Sequence, residues 1–104
     1  MILIRDIIAT VADVFGVEPS DITGTRRLPE FVKPRHVAMY LAREAGNRSL
    51  PEIGRAFKRD HTSVLYAIGR VADSRDPELL HGLAQAAHRL KAQHFTITIH
   101  REAA

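Results

Sequence analysis

The sequence holds no cysteine among its 104 residues, which excludes a disulfide framework and every zinc site built on thiolates. No apolar run approaches the ~18 residues needed to span a bilayer. Arg5 and Asp6 interrupt the opening MILIRDII where a secretory signal would need an unbroken apolar stretch. No Gly-x-x-x-x-Gly-Lys-Ser/Thr phosphate loop occurs, so no nucleotide is expected on that basis. Repeats, low-complexity tracts and domain linkers are missing too. The remaining balance, 45% apolar and 26% charged, is that of one domain able to fill its own core. An intracellular protein with no membrane partner is the expectation.

Charge is present in both signs but unevenly spread. Residues 1–25 hold one basic and four acidic groups, residues 26–62 nine and four, and residues 63–104 five and four. The formal net charge of +3 therefore hides a basic middle third, which is the electrostatic footprint expected for a polyanion.

The apolar residues recur almost throughout at helical spacing. Ile4, Ile7, Ile8, Val11, Val14 and Phe15 predict a first helix over about residues 2–15, ended by Gly16. Pro19-Ser20-Asp21 predicts a short helical turn closed by Gly24, followed by a basic loop through Glu30. Pro34 reads as the first turn of a longer helix, since its missing N–H would be unpaired there anyway. Ser49-Leu50-Pro51-Glu52 is a capping box opening a short helix to Phe57. Lys58-Arg59 makes a tight turn, Asp60 suits the cap of the next helix, and Val64, Leu65, Ile68, Val71 and Ala72 form its expected inward stripe. A last helix follows Asp76-Pro77 and extends to about Gln93. Phe95, Ile97 and Ile99 then alternate with polar residues in the rhythm of a strand. The expected fold class is an all-α helical bundle containing a helix-turn-helix, over 1–93, with a short β-strand or tail in 94–104.

Two short helices joined by so brief a turn form a helix-turn-helix pattern, in which the start of the second helix meets base edges. Here that start is Asp60-His61-Thr62-Ser63. Asp60 is assigned mainly to capping; His61 and Thr62, with varied hydrogen-bonding groups and a threonine methyl, are assigned to base reading. Catalysis is not expected, because Asp60, His61 and Ser63 are contiguous whereas a triad converges from separated positions. His81 and His88 lie seven apart with no carboxylate completing a metal set, so neither metal nor cofactor is expected.

Three blocks in order, Pro34-Arg35-His36-Val37-Ala38-Met39-Tyr40-Leu41-Ala42-Arg43-Glu44, Ser49-Leu50-Pro51-Glu52-Ile53-Gly54 and Arg59-Asp60-His61-Thr62-Ser63-Val64, resemble the C-terminal DNA-binding domain of the bacterial DnaA replication initiators. The resemblance covers roughly residues 5–76. It implies an all-helical domain whose helix-turn-helix reads double-stranded DNA at a DnaA box. By that resemblance Asp60, His61, Thr62 and Ser63 face the major groove, and Arg27 enters the adjacent minor groove. Arg35 corresponds to a basic residue at the start of the long helix and Arg43 to a phosphate-side cation. Leu50 and Pro51 bring backbone close to phosphate, and His36 and Arg59 complete the expected DNA-binding set. Departures are a turn one residue shorter before Arg59, His36 where glutamine is common, and Pro29 in place of a loop arginine.

These initiators place the domain behind an ATPase module, which these 104 residues do not contain. A freestanding, cytoplasmic, nucleoid-associated DNA-binding protein that regulates replication initiation or transcription is therefore the expectation. The rival reading is a protein-interaction module on the same scaffold. The alternating tail, His94 to His100, is expected to pair antiparallel with a second copy and form a homodimer.

Overall fold

The first apolar stripe buries as its spacing requires. The computed structural model describes the backbone of residues 2–103 and the side chains of residues 2–93. In it α1 spans Ile4–Phe15, with Ile7, Ile8, Val11 and Ala12 in the core. Gly16 ends the helix at φ 72°, a left-handed conformation that a side chain would strain. α2 (Pro19–Thr23) is one short helix opened by reciprocal bonds between Glu18 and Asp21.

The long helix α3 spans Pro29–Glu44, five residues earlier than Pro34 suggests. Pro29 takes the first helical position, behind Leu28 as cap, and Pro34 lies inside the helix. The bond that Pro34 cannot donate would reach the carbonyl of Glu30, an exposed residue near the helix start, where water satisfies it at little cost. Arg35 is consequently the seventh residue of α3 and not a helix-start residue. α3 is the hub of the bundle, in contact with α1, α2, α4 (Leu50–Phe57), α5 (His61–Ala72) and α6 (Pro77–Ala103). Val37, Ala38, Met39, Leu41 and Ala42 supply its buried face.

The capping box forms as read: Ser49 Oγ accepts from Glu52 N at 3.2 Å, and Glu52 Oε1 accepts from Ser49 N at 3.3 Å. α4 ends where Lys58 turns left-handed at φ 56°. The turn to α5 is so tight that a Cβ on Gly54 would stand 2.5 Å from the carbonyl oxygen of Arg59. Val64, Ala67 and Val71 form the buried stripe of α5, but Leu65 faces outward, 56% exposed, and Ala72 is exposed as well. A helix buries one stripe about 100° wide, and with Val64, Ala67 and Val71 facing α3 and α4, position 65 falls outside it.

The strand expected over residues 95–99 is replaced by a continuation of α6, which spans Pro77–Ala103. The physical reason is backbone pairing: a helix satisfies its own N–H and C=O groups, whereas a lone strand needs a partner that this chain does not offer. That removes the premise of strand-mediated dimerisation, and the side chains of residues 94–100 lie outside the described residues. Among the described residues no helix is long and apolar enough to cross a membrane.

Two glycines in the helix-turn-helix should respond oppositely to alanine. Gly54→Ala forces a Cβ into backbone and should cost ~1–3 kcal/mol. Gly69, with nothing within 4 Å of its Cβ position, should gain ~0.5–1 kcal/mol as alanine. Urea unfolding of the two variants measures both, and equal effects would contradict this description of the turn.

Candidate nucleic-acid interface

The site begins at the N-terminus of α5. Asp60 Oδ1 accepts from the backbone N–H of Thr62 at 2.8 Å and of Ser63 at 3.0 Å, closing two donors that the helix cannot pair itself. The Ser63 and Thr62 bonds hold the Asp60 carboxyl below its ordinary range, so it stays ionised. His61, Thr62 and Ser63 are exposed on the first turn beyond it.

Beside that turn lies an open cleft of about 860 Å³ between α3, α5 and two loops. Arg35, His36 and Met39 line it from α3, Thr62, Tyr66 and Arg70 from α5, Thr25 and Arg27 from the loop before α3, and Lys58 and Arg59 from the turn. Five of these lining residues are cations and none is a carboxylate. Positive potential therefore accumulates across a concave face with no acidic group along its walls. Away from the cleft, Lys33 bonds Asp76 at 2.6 Å, and Arg89 bonds Asp13.

His36 is half-buried in this cleft, its ring edge-on to Tyr66 with centroids 6.3 Å apart. Burial, then Arg35, Arg70 and Arg59, push its pKa below the ordinary imidazole value. The ring is thus neutral near pH 7, with one nitrogen able to donate and the other to accept.

Arg27 is exposed on the loop, free of the core. Arg35 is different, at 4% exposed. Its Nε donates to Ile22 O at 2.8 Å, one terminal nitrogen to Arg26 O at 2.9 Å and the other to Asp21 O at 2.9 Å. A guanidinium with each nitrogen bonded to a backbone carbonyl and little accessible surface contributes field to the cleft, with three of its five N–H donors used within the chain. The helix-start position expected for it is therefore not the one it takes. Arg59 is half-buried and donates to Phe57 O at 2.7 Å and to Gly24 O at 2.6 Å.

The remaining predicted residues stand apart from the cleft. Arg43 is exposed in the last turn of α3 and donates to Arg48 O at 3.2 Å. Leu50 and Pro51 occupy the first turn of α4, Leu50 half-buried and Pro51 exposed; Pro51 has no N–H and those of Glu52 and Ile53 are taken by Ser49, so the Leu50 N–H is the donor this helix start has left to offer. Lys58, Tyr66 and Arg70 belong to the cleft and were missed by motif reading. The spacing 62, 66, 70 along one helix face would have found two of them. Among the described residues no cluster of histidine and carboxylate groups could hold a metal ion.

The family described as the bacterial dnaA protein helix-turn-helix matches residues 4–71. The chromosomal replication initiator protein DnaA of Thermus thermophilus is 55% identical over 69 residues, 65% of this chain and 16% of that protein. Its counterpart from Burkholderia multivorans is 42% identical over 93 residues, 86% of this chain and 18% of that protein. The chain thus spans less than a fifth of the length of these relatives.

The state of His36 has a stability consequence. Its pKa is lower folded than unfolded, so its contribution is complete above the ordinary imidazole pKa and is lost as pH falls through that value toward the folded one. Melting temperature should decline between about pH 8 and about pH 5, and His36→Gln should flatten the decline. The same slope in both proteins would mean that the fold does not hold this ring neutral.

Proposed function

We propose, from the premise that this chain belongs to the bacterial DnaA helix-turn-helix family, that it binds double-stranded DNA in a sequence-specific manner at sites resembling a DnaA box. One observation carries the reading: the exposed first turn of α5, with His61 and Thr62, adjoins a concave face lined by five cations and no carboxylate. Phosphates supply affinity through such a face, and base edges supply selectivity through such a turn.

In this reading α5 lies in the major groove. Thr62 and His61 meet base edges, Ser63 stands beside them, and Asp60 holds the helix end in shape. Arg27, Lys58 and Arg70 approach phosphate or the neighbouring minor groove from the cleft. Tyr66 and His36 form the floor against which the sugar-phosphate chain rests. Arg43 with the α4 start, Leu50 and Pro51, holds a further phosphate, because the Leu50 N–H, the positive end of the helix and a cation favour an anion there. Regulation of replication initiation or of transcription follows from occupying such sites. These residues contribute binding and no chemistry, and the protein acts where chromosomal DNA is, in the cytoplasm at the nucleoid.

Selection of bound duplexes from a random library, followed by mobility shift, tests the reading. Recovery of a DnaA-box-like sequence is the expected result, and a pool that stays random would overturn it. On the selected site, His61→Ala and Thr62→Ala should each cost ~1–3 kcal/mol, with far less effect on random DNA. Arg43→Ala and Arg70→Ala should instead weaken binding to both kinds of DNA and lower the salt slope by about one each. Equal losses on both DNAs for the α5 variants would remove base reading. Unchanged slopes would remove the two arginines.

A further inference from the structure

We propose that Arg35 and Arg59 are positioning residues that clamp the loop bearing Arg27 against the start of α5, and so set the specificity of DNA reading without contacting DNA. The inference rests on the DNA-binding reading above and asks how its parts are held in register.

Arg35 reaches from α3 to three carbonyls, of Asp21, Ile22 and Arg26. Two of these are among the last carbonyls of α2, which have no partner inside a helix. Arg59 takes the next one, Gly24 O, while also holding Phe57 O in the turn. The loop is therefore pinned at residues 24 and 26, and Thr25 and Arg27 line the cleft between and beyond the pins. Arg59 immediately precedes Asp60, so the same side chain that grips the loop sits on the cap of α5. Loop and recognition helix become one rigid unit.

Only arginine can do this. Its planar fork presents five N–H donors in fixed directions, whereas lysine offers a point charge that cannot span several carbonyls. Buried carbonyls left without donors would make the closed loop costly, so the loop would open and Arg27 would lose its place relative to Thr62.

Arg35→Lys and Arg59→Lys keep the charge and remove the fork, which separates positioning from simple attraction. Without DNA, hydrogen exchange over residues 22–28 should accelerate while α4 and α5 stay protected. On the selected site, affinity should fall by about 5- to 150-fold, the range for losing one well-placed contact. Affinity for random duplex and its salt slope should hold. In an Arg27→Ala background the loss should disappear, because the clamp then has nothing left to position. Unchanged exchange, a slope lowered by about one, an equal loss with and without Arg27, or unfolding of both lysine variants would each overturn the proposal. A wild-type chain indifferent to sequence would instead remove the DNA reading on which it rests, whatever the exchange shows.

Discussion

A single guanidinium buried without a carboxylate partner organises the working end of this protein. Arg35 lies in the middle of α3, and its charge is offset by three backbone carbonyls, two at the end of α2 and one in the loop that joins α2 to α3. Removing a charge from water costs several kcal/mol after relaxation. Here the compensation comes from oxygen atoms that would otherwise be left unpaired at the end of α2. Burial of the apolar stripe of α3 against α1, α5 and α6 fixes the helix, and the helix in turn fixes the arginine.

Charge is arranged by the same economy. Away from the cleft Lys33 and Arg89 carry acidic partners, Asp76 and Asp13. Around the cleft the cations carry none, and the field of Arg35 and Arg59 adds to that of Arg27, Lys58 and Arg70. Burial lowers the pKa of both Arg35 and Arg59 below the ordinary arginine value, yet an arginine remains charged at any physiological pH. A polyanion would meet a surface with no compensating negative group. Burial first, then Arg35, Arg70 and Arg59, holds the His36 pKa below its ordinary value, which makes it a hydrogen-bonding ring in a cationic surrounding.

Family membership and local geometry speak to different scales. The match over residues 4–71 assigns the helical frame and the turn between α4 and α5. It does not say how the loop before α3 is held, since that depends on two side chains far apart in sequence. The matched stretches are 16% and 18% of the two relatives' lengths, so the similarity speaks to this domain and not to the rest of those proteins.

Local signals alone determined the all-α class, both ends of α1, α2 and α4 to within a few residues, the Ser49–Glu52 box and the Asp60 cap, because each depends on neighbours three or four positions away. Periodicity also placed His61 and Thr62 on an exposed first turn. It failed at Pro34, where proline composition suggested a start but the energetic cost of an interior proline was small. It failed at Leu65, which belongs to an apolar pattern yet lies outside the stripe that α3 and α4 cover. It failed again at 95–99, where alternation resembled a strand although no partner existed for its backbone. Tertiary structure alone decided that Arg35 is a buried anchor, that Arg59 reaches Gly24, and that Tyr66 and Arg70 share a cleft with Arg27. The two arginine anchors depend on contacts between residues 9 to 35 positions apart and the shared cleft on residues farther apart still, and no local propensity encodes which carbonyl a distant guanidinium will find.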